Sequence, residues 1–395
     1  MNAKTEASPR NPDFLYNKAG ARNRLFTAVL GLCLFALPAV AADSAADNAV
    51  EIARAAPQVE VVFVLDTTGS MGGLIAGAKE KIWFIAGQIV AGEPTPEVRM
   101  GLVAYRDKGD AYVTRVFDLT DNIDQVYTDL MGFQAAGGGD FPENVNQALF
   151  DSLHKISWSE EANVLRIIYL VGDAPPHPYE EVPSHTALAG EAARRGILIN
   201  TIQCGRHAQT TAIWQEIAEH AGGHFFQIDQ EGGVRHIPTP FDAEMAELNA
   251  KLMETTVVYG AADVRGRQSV LNVNVAGYDT NAAAERAAFS FRSGNVANHD
   301  LLDTLRRENL TVADLDEAQL PESMQAMTVA ERTELLEGMR QQRAGILKNI
   351  QEVSARRDAF LREAIDQNDE ARQGFDFQVM DALRRQATKA GIRYE

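Results

Sequence analysis

Cysteine is almost absent: Cys33 and Cys204 are the only two in 395 residues. Cys204 lies inside the apolar run Ile197 to Cys204, where a buried structural thiol is the plain reading. Phosphate-binding motifs are missing as well. There is no GxxxxGK[ST] and no GxGxxG, so nucleotide binding has no anchor. A nucleophile elbow needs GxSxG, but Ser70 sits in TGSMG, and an aspartyl-phosphate enzyme would want a second carboxylate where Thr68 stands. His220 and His224 are separated by Ala221, Gly222 and Gly223, which end a helix, so they share no helical face as zinc ligands would. Basic residues are few, 37 Lys and Arg against 55 Asp and Glu, a net charge of -18. Such a surface repels nucleic acid and anionic lipid.

Long apolar runs are scarce too, and the one at the amino end has the form of a leader. Leu25 to Ala42 carries no charge, follows Arg22 and Arg24, and ends in AVAAD. This predicts a signal peptide over 1–42, cut after Ala41 or Ala42, and a secreted or periplasmic protein. The alternative is a membrane anchor formed by uncleaved Leu25–Ala42, since 18 uncharged residues reach the lower limit for a membrane helix. Cleavage would remove five basic and two acidic residues, leaving 32 against 53, a net of -21, with Cys204 as the only cysteine. Residues 43–57 are Ala-rich and polar, a linker. The rest, in a chain 45% hydrophobic, is ample for one large core with an appendage.

What is present is an alternation of apolar runs and helical periods. Val59 to Leu65 reads as a strand buried on both faces, broken only by Glu60. Asp66, Thr68 and Ser70 follow on alternate residues among Gly69, Gly72 and Gly73, and Leu74, Ile75, Ala78, Ile82, Ile85 and Ile89 continue at helical spacing. Val98 to Asp107 is a second strand, and Tyr112 to Phe117 a third, close enough to pair antiparallel at the edge. Helices follow at Ile123 to Met131 and Val145 to Ile156, then a strand at Leu165 to Val171. A helix at Ala187 to Arg195, a strand at Ile197 to Cys204, a helix at Ile213 to Ala221 and a strand at His224 to Ile228 complete the series. The pattern specifies an α/β fold: a doubly wound, Rossmann-like, mostly parallel sheet flanked by helices. A helix over Phe241 to Met253 packs on, and the texture changes near Gly260. Ser269 to Val275 alternates like a strand; residues 265–395 are otherwise a mainly α-helical C-terminal region. Thr328 to Ile365 keeps 3- and 4-residue apolar steps interrupted by Arg343 and Arg357, which predicts a helical hairpin, with an intermolecular coiled coil as the alternative.

The loop DTTGS resembles the metal-ion-dependent adhesion site of von Willebrand factor type A domains, DxSxS, with Thr68 keeping a hydroxyl at the first Ser position. The resemblance covers residues 58–258 and includes GGGDFPE at 137–143, as in a GGGDxPE subgroup, and GDAPPH at 172–177. Loops after strands of a doubly wound sheet converge where strand order reverses. The resemblance then implies five oxygen ligands, Asp66, Thr68, Ser70, Asp140 and Asp173, for one divalent cation. Carboxylates and hydroxyls without His or Cys suit Mg²⁺, with Ca²⁺ or Mn²⁺ as alternatives. Asp140 departs from the family, which usually carries a Thr there, and makes the site more anionic.

Each residue also has a local explanation. Asp140 and Glu143 fit a capping box for a helix beginning near Phe141, Ser70 fits an N-cap, and Asp173 fits a turn before Pro175. Three such loops in the right order favour the metal reading. What the resemblance implies is a protein-binding module that engages a protein partner through the metal-site face and is not an enzyme. The alternatives are a metal-assisted hydrolase, with His177 as the nearby base, and a scaffold whose C-terminal helices make the contact. Asp107 is placed to support the metal rim.

Overall fold

The computed structural model describes residues 56–161, 163–230, 237–366 and 375–394. The leader, its cleavage point and residues 43–55 of the linker lie outside the described residues. Among those described, no helix is long and apolar enough to cross a membrane.

Six strands form one sheet: β1 (Gln58–Asp66), β2 (Glu97–Tyr105), β3 (Thr114–Thr120), β4 (Val164–Gly172), β5 (Ile197–Cys204) and β6 (Phe225–Ile228). Their order is β3-β2-β1-β4-β5-β6, parallel except for β2 with β3. The edge hairpin is thus as expected, although its third strand begins two residues later and runs to Thr120. Order reverses between β1 and β4, whose carboxyl ends therefore open a crevice.

Alternate residues of β1 serve opposite faces. Val59, Val61, Phe63 and Leu65 join a core with α1 (Gly72–Ile89) and α2 (Ile123–Met131). Val62 and Val64 join another with α3 (Val145–His154), α4 (His185–Arg194) and α5 (Ala208–His220). Glu60, the one polar residue in the run, is buried but answered by Arg99 at 2.7 Å and by the Ser159 amide at 3.0 Å.

Beyond the sheet come α6 (Asp242–Met253), α7 (Ala262–Ala276), α8 (Thr280–Ser293), α9 (Leu301–Arg307), a short α10 (Glu322–Gln325), α11 (Val329–Asp366) and α12 (Phe375–Ala387). Two expectations fail here. Ser269 to Val275 is not a strand but part of α7. Leu271 and Val275, four residues apart, satisfy either period; Val273 decides, being 72% exposed, while Gln268, Leu271 and Val275 form the buried helical face. The expected hairpin over Thr328 to Ile365 is one uninterrupted 38-residue helix, α11. Arg343 and Arg357 do not break its seam, because neighbouring segments supply carboxylates to both: Asp300 to Arg343 at 2.6 Å, and Asp242 to Arg357 at 2.7 Å.

The change of texture near Gly260 is real in sequence, yet the two regions share cores. Val379, Met380, Leu383, Ala387 and Ile392 pack into the same cluster as α1 and the first face of the sheet.

Candidate metal centre

Asp66 ends β1 with its side chain fully buried. The chain turns at once because Thr67 is tied on both sides: its amide donates to the Tyr105 carbonyl at 2.9 Å, and its carbonyl accepts from the Ala136 amide at 3.1 Å and Arg106 Nε at 3.0 Å. Thr68 then folds back on the acid. Its amide and Oγ1 both donate to Asp66 Oδ1, at 2.8 and 2.7 Å, and Ser70 Oγ lies 3.3 Å from Thr68 Oγ1. Three predicted ligands thus meet in one turn. Asp173 follows β4, across the crevice, and its Oδ2 accepts from Gln230 Nε2 at 2.6 Å.

The 137–143 loop behaves differently from expectation. Gly137 and Gly138 have φ of +80° and +81°, and a Cβ on Gly137 would collide with Asp110 Oδ1 at 2.2 Å, so glycine is needed for the close approach. Asp140 does not join Asp66, Thr68 and Ser70 in this hydrogen-bond network. Its side chain is 63% exposed and meets His177 Nε2 at 2.9 Å. Neither Asp140 nor Glu143 caps a helix: α3 begins at Val145, and Asn144 is its cap, accepting from the Gln147 amide at 3.2 Å. Glu143 instead turns inward and is buried, pinned by its amide to the Pro175 carbonyl at 3.0 Å and by its carbonyl to the His177 amide at 2.9 Å. A Cβ on Gly138 would stand 3.4 Å from both Glu143 Oε1 and Thr68 Cβ. The sequence carried one signal for this placement, an acid in the second loop, and it was absorbed by the capping-box pattern.

On the rim, Asp107, Asp140 and His177 bring one ligand atom each within 4.8 Å of one another. Tyr179 Oη donates to both oxygens of Asp107, at 3.0 and 2.8 Å, and its ring stacks on His177 with centroids 4.7 Å apart. Ser70 is no N-cap of α1, since Met71 holds that position.

The electrostatics show what the crevice lacks. Burial raises the Asp66 carboxyl to about 7 against the two Thr68 hydrogen bonds, with Asp173 adding to the rise. Burial raises Glu143 further, to about 9, followed by the charges of Asp66, Asp107, Asp110 and Asp173. Asp66 Oδ2, Glu143 Oε2 and the Tyr105 hydroxyl are buried without a hydrogen-bond partner. A buried carboxylate oxygen without donor or counter-charge is costly, and a hard divalent cation supplies the missing charge. The donor set fits such an ion: Asp66, Thr68, Ser70 and Asp173 offer oxygen only.

Residues 60–230 match the family model described as von Willebrand factor A domain. A putative ariadne-like RING finger protein of Acanthamoeba polyphaga mimivirus is 26% identical over 189 residues, 43% of this chain and 18% of the relative, so the chain spans less than a fifth of that protein. Among solved structures, the SpRpn10 VWA domain shares 14% identity and covers 44% of this chain and 89% of its own, with a TM-score of 0.35. Proximal thread matrix protein 1 from the mussel byssus, with a zinc-occupied MIDAS motif, shares 15% identity and covers 45% and 43%, with a TM-score of 0.36. Over residues 60–230 the chain is similar to von Willebrand factor A domains, and its mostly parallel six-stranded sheet is the architecture that this similarity implies.

Proposed function

We propose that this chain is a secreted or periplasmic module that binds a protein partner through a divalent cation held at the carboxyl end of the sheet. One observation carries the reading: Asp66 is buried with Oδ1 locked by Thr68 and Oδ2 unpartnered, at the switch point where Asp173 also arrives. When bound, the cation neutralises these acids and offers an open coordination position to an oxygen ligand. Asp66, Thr68, Ser70 and Asp173 hold it. Mg²⁺ suits the donors, with Ca²⁺ or Mn²⁺ as alternatives. The chain's own work is to keep the oxygens converged, which the ties of Thr67 to Tyr105, Ala136 and Arg106 do.

A metal-assisted hydrolase is the second reading, favoured by His177 beside the crevice. Its Nε2 is engaged by Asp140 at 2.9 Å, however, which leaves that nitrogen committed to the rim. The binding reading is tested by capturing a partner on the immobilised full chain. The expected result is release by EDTA and rebinding when Mg²⁺ or Mn²⁺ is restored, with no capture by Asp66→Ala. A complex that survives EDTA unchanged would show that the cation is not the contact.

A further inference from the structure

The expected second-loop ligand, Asp140, and the acid the fold turns inward, Glu143, are three residues apart and sharply different. Asp140 has 63% of its side chain in solvent, whereas Glu143 as a residue is 4% exposed. Asp140 has a partner in His177, at 2.9 Å. Glu143 Oε2 has none, and neither has Asp66 Oδ2. Glu143 Oε1 and Thr68 both flank Gly138, so the carboxylate lies on the Thr68 side of the loop. Its backbone is fastened at both ends, to Pro175 and to His177, on the very loop that carries Asp173. It is therefore held in place rather than folded in by default, and the α3 cap that would have explained it is supplied by Asn144.

We propose that Glu143, not Asp140, is the second loop's ligand for the divalent cation, joining the carboxylates of Asp66 and Asp173 and the hydroxyls of Thr68 and Ser70. The inference rests on the cation-binding reading above and changes its chemistry. Three inward carboxylates exceed the charge of a divalent ion, so the centre keeps no residual positive charge for an acidic partner. A neutral oxygen, such as an amide carbonyl or hydroxyl, is the partner group that fits the open position. Asp140 becomes part of the rim, where it fixes His177.

The test is calorimetric titration of Mn²⁺ into the full chain, as wild type, Glu143→Gln and Asp140→Asn, with thermal melts of each with and without the ion. A lost carboxylate ligand should weaken binding by at least about tenfold in Glu143→Gln, since even groups that only orient ligands cost that much. Asp140→Asn should bind close to wild type. Without metal, Glu143→Gln should melt no lower than wild type, while its Mn²⁺-induced rise shrinks. The opposite ranking of the two variants would overturn the assignment. So would a Glu143→Gln chain that melts well below wild type without metal, which would make Glu143 a packing residue. If wild type takes up no Mn²⁺ at all, it is the cation reading itself that falls.

Discussion

Asp242 opens α6 and is answered from three sides: the Thr239 amide and Oγ1 donate to it at 2.8 Å each, and Arg357 Nε at 2.7 Å. Burial pushes its carboxyl up, but the Thr239 and Arg357 hydrogen bonds outweigh that and hold it below the ordinary carboxylate value. Asp66 is buried more completely and has no cationic partner in contact, and there burial wins. The contrast separates a structural acid from one kept for a ligand. It also fixes a sign. A carboxyl depressed in the folded state contributes stability that is fully present above its unfolded value, about 3.9, and is lost as pH falls through the lower folded value. The urea midpoint of wild type should therefore drop below about pH 4. In Asp242→Asn, starting from a lower plateau, the same acid limb should be shallower. Parallel limbs in the two proteins would show that Asp242 does not contribute.

At the scale of elements, the joint between the sheet domain and the C-terminal helices is ionic at its centre. Asp124 on α2 receives Arg286 of α8 through two hydrogen bonds of 2.8 Å, and Tyr278 Oη at 3.0 Å; Arg286 also reaches Asn249 on α6 at 3.0 Å and the Val296 carbonyl at 2.8 Å. Both charged residues are buried. Removing one partner leaves the other charge stranded, so Asp124→Ala should cost about 3–5 kcal/mol in denaturant unfolding. Asp124→Leu with Arg286→Met should recover most of that, because the pair's attraction is offset by its desolvation. A double variant no more stable than Asp124→Ala would mean that the hydrogen bonds to Asn249 and Val296 matter more than the charges. None of this joint is legible in the sequence, where Asp124 and Arg286 are two surface-like charges 162 positions apart. The sheet was legible, because β1 and β4 are apolar runs that only burial explains, and so was the turn carrying Asp66, Thr68 and Ser70. The α7 helix was misread because Leu271 and Val275 fit both periods. Arg343 and Arg357 looked like breaks because their acids lie on other elements. Glu143 was hidden for a related reason: a pattern of an acid followed three residues later by Glu is the signature of a cap, and only the register of α3 shows that the cap is Asn144, four residues beyond Asp140.

At the scale of the molecule, the family match ends at residue 230, but the core it requires does not. The first face of the sheet is completed by α12, more than a hundred residues later. Tyr169 Oη on β4 donates to the Val379 carbonyl at 2.9 Å, and the Asn200 and Gln386 amides pair, both buried, at 3.0 and 2.8 Å. Val379, Met380, Leu383 and Ile392 are buried against this face. The strap continues to the end of α1 and the loop after it, where Tyr394 Oη donates to the Ile89 carbonyl at 2.9 Å and Glu93 and Arg393 exchange backbone hydrogen bonds of 2.8 and 2.9 Å. Burying four such side chains stabilises by on the order of 6–12 kcal/mol before ordering costs. That is comparable to the whole stability of a typical domain, about 5–15 kcal/mol. A chain ending at Asp366 should therefore lose its cooperative melt near the full-length temperature and bind a hydrophobic dye, because Tyr169 and its neighbours on the sheet come into water. It should also lose cation binding, although every candidate ligand is still present, since β4 carries Asp173 at its end and rests on α12. Restoring α12 as a separate peptide over residues 375–394 should quench the dye and bring the cation site back. Should the shortened chain instead melt with the full-length protein and stay dark to the dye, α12 would be an ornament on a self-sufficient domain, and the sheet face would have to be covered by something other than residues 375–394.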